Sequence, residues 1–108
     1  MSDNQSGIQI NLPLDEITAF CERWKILEFA LFGSVLRDDF GSDSDIDVLV
    51  TFAPGSLRTL AAVTAMHNEI EAVLGRSVDL IDRQSIERSP NYLRRQAILG
   101  SLRTIYAA

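Results

Sequence analysis

The reading turns on one stretch, Phe32-Gly33-Ser34-Val35-Leu36-Arg37-Asp38-Asp39-Phe40-Gly41-Ser42-Asp43-Ser44-Asp45-Ile46-Asp47-Val48-Leu49-Val50. A Gly-Ser pair is joined to an Asp-x-Asp across ten intervening residues. The apolar run from Ile26 to Phe32 stops at the Gly-Ser, and a second run begins inside the Asp-x-Asp. Both polar elements therefore fall at the ends of expected strands, where a rigid sheet can aim them. From Asp45 to Phe52 the pattern alternates: Ile46, Val48, Val50 and Phe52 share one face, and Asp45, Asp47, Leu49 and Thr51 the other. This is the layout of a site for a phosphate and metal ions.

Side chains two apart on a strand point the same way, so Asp45 and Asp47 present two carboxylates with alpha carbons about 6.6 Å apart. Hard oxygen ligands with no imidazole or thiolate beside them select Mg²⁺ or Mn²⁺ over zinc or copper. Two such metals about 3.5–4 Å apart are the usual device for in-line displacement at phosphorus. Asp79, in the short apolar run Ser77-Val78-Asp79-Leu80-Ile81-Asp82, offers a third carboxylate if its strand lies beside the second one. Three carboxylates in one small cluster repel strongly unless cations are present. Gly33 lets a phosphate approach the backbone, and the amides that follow, with the Ser34 hydroxyl, can donate to phosphate oxygens. Arg37 can neutralise a phosphate or pair with Asp38 or Asp39. The segment Gly41-Ser42-Asp43-Ser44-Asp45 is also turn chemistry in its own right, but that leaves Asp47, inside the strand, unexplained.

Working outward, Leu14, Ile17, Phe20, Cys21 and Trp24 recur at three- and four-residue steps, with Pro13 and Asp15-Glu16 at the start. This predicts a first helix over 13–24. Ile26 to Phe32 reads as the first strand and Ser34 to Asp39 as a turn of helix. Ala53-Pro54-Gly55 breaks the second strand, and Ser56 is placed to cap a long helix reaching Leu74, with Gly75 as its stop. Leu60, Val63, Thr64, Met66, His67, Ile70, Val73 and Leu74 form its expected buried stripe. A third strand covers 77–82, Ser89-Pro90 starts a helix ending near Gly100, and Leu102 to Tyr106 is a last strand or a continuation of that helix. His67, the one histidine, reads as a structural residue on a helical stripe.

Composition bounds the rest. A chain of 108 residues with 46% apolar content is one domain with one core, the expected domain covering 13–108 after a flexible N-terminal segment over 1–12. No apolar run approaches a membrane span, and the polar N-terminus lacks the features of a signal peptide, so a cytoplasmic location is expected. Cys21 stands alone and cannot form an internal disulfide; it reads as a buried apolar residue. A net charge of −5 argues against direct nucleic-acid binding, although Arg88, Arg94, Arg95 and Arg103 gather near the C-terminus.

The Gly33-Ser34 and Asp45-Ile46-Asp47 pattern is similar to the signature of the DNA polymerase beta-like nucleotidyltransferase superfamily. The short length, the Ser44 to Val50 strand and the Val78-Asp79-Leu80-Ile81 strand resemble more narrowly the minimal nucleotidyltransferases (MNT), the antitoxin half of HEPN/MNT toxin-antitoxin pairs in bacteria and archaea. The resemblance covers nearly the whole chain. It implies an α/β (α+β) fold, a mixed and mostly antiparallel sheet with helices packed on one side. It also implies transfer of a nucleoside monophosphate, usually AMP from ATP, to a hydroxyl, with pyrophosphate leaving. Gly33, Ser34 and Arg37 would hold the nucleotide; Asp45 and Asp47 would bind two Mg²⁺ ions, or Mn²⁺; and Asp79 would bind the catalytic one and help activate the acceptor. That acceptor would be a tyrosine of a HEPN ribonuclease toxin, a separate chain with which a hetero-oligomer would form.

In one respect the chain departs from the family pattern. Where relatives carry Ser-x-Ala-Arg-Gly, this chain has Val35-Leu36-Arg37-Asp38, and Asp38 adds a negative charge beside the triphosphate. Two other readings share the fold: a module that inhibits its partner by occlusion, and a nucleotidyltransferase for a small molecule. The chain leaves little room for a second substrate-binding domain, which counts against the latter.

Overall fold

The computed structural model describes residues 12–36, 44–55 and 59–108. Four strands form one sheet: β1 (Ile26–Phe32), β2 (Ile46–Phe52), β3 (Val78–Asp82) and β4 (Arg103–Ala107), in the spatial order β3-β2-β1-β4. β1 is antiparallel to both β2 and β4, and β2 is parallel to β3. The two central strands carry the apolar runs because both their faces are covered. Among the helices, α1 (Leu14–Trp24) precedes β1, and α2 (Leu60–Leu74) makes the crossover that a parallel pair requires. The short α3 (Arg83–Glu87) and α4 (Tyr92–Leu99) separate β3 from β4.

Strand alternation sorts the core into two clusters. Phe29 and Leu31 of β1, with Ile46, Val48 and Val50 of β2 and Val78 of β3, meet Ile17, Phe20 and Cys21 of α1 and Met66 and Ile70 of α2. Phe20 and Phe29 meet edge to face at 6.2 Å between ring centres. The opposite strand face carries a smaller cluster: Phe32, Leu49, Ile86 of α3 and Ile98 of α4. The expected α/β fold with a mixed, mostly antiparallel sheet is found. Helices on one side describe α1 and α2, while α3 and α4 each add an isoleucine on the other face. Leu12, assigned by the sequence to the N-terminal segment, is buried in the larger cluster; residues 1–11 lie outside the described residues.

Several local expectations shift. Ser56 lies outside the described residues, and the cap of α2 is Thr59, whose hydroxyl accepts from the Ala62 amide at 3.0 Å. Only Met66 and Ile70 of the expected stripe are buried; Leu60 is 84% exposed, and Val63, 40% exposed, borders a cavity with Val50, Phe52 and Leu80 of the sheet. α4 is capped by Asn91, which accepts from the Arg94 amide at 3.0 Å, so Ser89-Pro90 belongs to the preceding turn. The C-terminal segment is a strand, not a helical extension.

Candidate active site

The carboxylates lie on the sheet face opposite the large core. Asp47 follows buried Ile46 in β2, and the parallel register pairs it with Asp79 of β3. Paired residues on neighbouring strands face the same way with backbones about 4.8 Å apart. Asp79 is therefore beside Asp47, the placement the sequence made conditional on strand order. On its other side Asp47 pairs with Phe32 of β1, the residue before the Gly-Ser. Asp45 stands two residues ahead of Asp47, just before β2, where the Ile46 amide donates to the Ser77 carbonyl at 3.0 Å and extends the β2-β3 ladder. Asp45 and Asp79 are exposed and Asp47 is half-buried.

The Gly-Ser turn closes onto this group. Gly33 opens a 3-10 turn, Gly33–Leu36, with φ +79°, in the left-handed region where glycine has no steric cost. Fully buried Val35 pins the turn to the main core. A Cβ built on Gly33 would run into the Asp47 carboxylate, with Cγ only 3.1 Å away. The backbone of the turn and the carboxylate are thus in contact, and only glycine permits it. Ser34 follows within the same turn. Arg37 lies outside the described residues, as do Asp38 and Asp39.

The start of β3 is fixed by a pair of residues that the motif reading did not include. His67 Nε2 donates to the Val78 carbonyl at 2.7 Å, and the Val78 amide donates to Glu71 Oε2 at 2.9 Å. His67 and Glu71, four apart on α2, also approach each other at 3.3 Å. Both backbone groups of the residue before Asp79 are held by α2. The i,i+4 spacing was the available signal, since it places both side chains on one helix face. Arg76 donates to the Ser44 carbonyl at 3.3 Å, tying the approach to β3 to the approach to β2.

The donor set is all oxygen, which suits Mg²⁺ or Mn²⁺, and the position a Cβ would take at Gly33 is already met by the Asp47 carboxylate. Among the described residues, no group of three or more His, Cys, Asp or Glu side chains is already gathered for a metal ion. Two strand starts, one tight turn and one crossover helix thus bring Asp45, Asp47, Asp79 and Gly33 to one end of the sheet.

The family model for the nucleotidyltransferase domain matches residues 17–103, from α1 to the start of β4. The protein adenylyltransferase MntA of Thermococcus cleftensis is 35% identical over 66 residues, which cover 61% of this chain and 65% of the relative. The chain spans less than two thirds of the length of the curated relatives it matches. The solved structure of a candidate minimal nucleotidyltransferase, 29% identical, superposes with a TM-score of 0.64 over 82% of this chain and 85% of that one. The likeness of fold extends to a structure of the tri-AMPylated Shewanella oneidensis HEPN toxin in complex with MNT antitoxin. Its match has 21% identity and a TM-score of 0.58, covering 88% of this chain and 70% of that chain.

Proposed function

Because this chain belongs to the nucleotidyltransferase domain family, we propose that it moves the AMP unit of ATP onto a hydroxyl of a partner protein. The acceptor is a tyrosine of a HEPN-type toxin, and the chain acts as that toxin's antitoxin. The observation that carries this reading is the register that sets Asp79 opposite Asp47, with Gly33 against the Asp47 carboxylate. The name of the Thermococcus relative and the AMPylated partner in the Shewanella complex support the choice of a protein acceptor.

Asp45, Asp47 and Asp79 would hold two Mg²⁺ ions, with Mn²⁺ as the alternative. When bound, such ions neutralise phosphate charge and favour in-line displacement. Gly33 admits the triphosphate against the backbone, Ser34 donates to its oxygens, and Arg37 offsets its charge. The acceptor hydroxyl oxygen forms a bond to the α-phosphorus while the bond from that phosphorus to the oxygen bridging the α- and β-phosphates breaks. Pyrophosphate leaves with that oxygen. Asp79, exposed on the edge strand β3, takes up the hydroxyl proton. His67 and Glu71 keep Asp79 in register by gripping Val78.

Intact-mass measurement tests the proposal. The chain is incubated with ATP, Mg²⁺ and its HEPN partner, and the partner is weighed. One or more AMP increments are expected, and they disappear with the double variant Asp45→Asn, Asp47→Asn. An unmodified partner that is still inhibited by the double variant would favour occlusion and refute transfer.

A further inference from the structure

Of the eight residues of α4 only Ile98 is buried, while its first turn leaves Tyr92 56% exposed and Leu93 75% exposed, side by side. Single apolar side chains at a surface are ordinary, but adjacent large ones mark places of interaction. Leu93 and Arg94 stand four residues ahead of Ala97 and Ile98, which line the cleft that reaches Gly33. On the other flank Arg95, Gln96, Leu99 and Gly100 bound a separate hollow of about 470 Å³. The helix is therefore a ridge beside the candidate site, with open space to either side.

The ridge is also basic on an acidic chain. The net charge is −5, yet residues 83–103 hold five arginines and one glutamate. Arg83 is engaged by Glu28 and Glu87. Arg95 is held in place, its guanidinium 5.5 Å from the centre of the Tyr92 ring and donating to the Ser89 carbonyl at 2.6 Å. Arg88 and Arg94 are exposed and have no carboxylate partner among the described residues. We propose that this ridge docks the acceptor protein through an acidic surface surrounding an apolar hollow for Leu93; this rests on the transfer reading above. Such a surface is repelled by the carboxylate-rich remainder of the chain and attracted here, so the charge pattern selects one orientation of the partner. That orientation lays the partner along the mouth of the cleft, next to Gly33 and Asp47. Tyr92 and Arg95, already fixed against each other, lose little freedom on binding, as suits interface anchors. A nucleic acid is the poorer occupant, because two available arginines offer few phosphate contacts on a chain of this charge.

Calorimetric titration of the full chain with the purified HEPN-type partner, without ATP, tests this. Leu93→Gln and Arg94→Glu alter the ridge, and Leu60→Gln, at an 84% exposed position of α2, is the control. Melting curves confirm that each variant is folded. The expected result is a loss of partner affinity of roughly tenfold or more in each ridge variant, with the Arg94→Glu loss shrinking as salt is raised. The partner affinity of Leu60→Gln, and the affinity of all three variants for ATP, should stay within about twofold of wild type. Wild-type partner affinity in both ridge variants overturns the proposal, as does an equal loss in Leu60→Gln. Arg94→Glu that loses a single-stranded RNA probe but keeps the partner also overturns it, in favour of a nucleic-acid surface. AMP transfer is scored on the same complexes. A complex that the ridge variants weaken but that yields no AMPylated partner supports the surface and refutes transfer, whereas transfer by ridge variants of unchanged affinity refutes the surface alone.

Discussion

Replacing Gly33 by alanine tests the contact on which the site is built. Two costs follow from the structure. The residue sits at φ +79°, where an L-residue is disfavoured by about 1–2 kcal/mol. The new methyl also meets the Asp47 carboxylate, whose Cγ would be 3.1 Å away. Relief requires Asp47 to leave its rotamer, at about 0.5–1.5 kcal/mol. Gly33→Ala should therefore lower unfolding free energy by about 1.5–3.5 kcal/mol. Gly75→Ala is the matched control, since its φ is +71° but nothing lies within 4 Å of the added carbon. It should lose about 1–2 kcal/mol from backbone strain alone. The difference between the two variants isolates the collision. AMP transfer to the partner separates them further, because a displacement near 1 Å in a reacting constellation is worth roughly 100-fold in rate. Gly33→Ala should lose at least that much activity, and Gly75→Ala almost none. Denaturant titration and timed mass spectrometry provide the readouts. Equal stability losses together with equal activities would refute the claim that Gly33 is kept for its contact with Asp47.

Burial decides the effect of two residues on the same face of the sequence pattern. Ile70→Ala, at a fully buried position, should destabilise by about 2–5 kcal/mol, whereas Leu60→Ala, 84% exposed, should stay within about 0.5 kcal/mol in denaturant titration. Cys21 is buried, and that burial, aided by the Glu22 charge, pushes its thiol up from 9.0 to about 12. In the native chain at pH 8 it should resist a thiol reagent that labels the unfolded chain at once. Its contribution to stability is fully present below pH 9 and is lost as pH rises through about 12, because the unfolded thiol ionises first. Denaturation midpoints across that range should fall more steeply for the wild type than for Cys21→Ala.

The parts of the fold that were legible in the sequence are those set by local chemistry. β1 ends at Phe32 because Gly33 turns the chain, and α2 ends at Leu74 because Gly75 adopts the left-handed conformation of a helix stop. Ile46, Val48 and Val50 announced a buried strand face by alternation alone. α3 was not read because five residues are too few to show a helical period. Competing cap signals explain the shifted helix starts. Ser56 and Thr59 both suit the start of α2, and Ser89 and Asn91 both suit that of α4; the later residue caps in each case. Periodicity placed Leu60 and Val63 on the inner stripe, but how closely the rest of the fold covers that stripe is a tertiary fact.

The candidate site divides the same way. Asp45 and Asp47 were visible as a pair because two-residue spacing on a strand is enough to align them. Asp79 required the parallel β2-β3 pairing, which depends on a crossover of 25 residues between Phe52 and Val78 and leaves no local trace. The contact between Gly33 and Asp47 likewise comes from β1 and β2 lying side by side. The grip of His67 and Glu71 on Val78 had a signal in their spacing but no way to name its target.

The most direct test of the central claim is the rate of AMP transfer by Asp79→Asn, which keeps size and shape and removes only the charge. The residue is exposed, so the variant should melt within about 4 °C of the wild type. If Asp79 joins Asp47 in one transfer centre, the intact mass of the partner should rise at least 100-fold more slowly, in line with the contribution of a positioned base. Transfer at the wild-type rate by a folded Asp79→Asn would contradict the account, because the register that pairs Asp79 with Asp47 would then have no part in the chemistry.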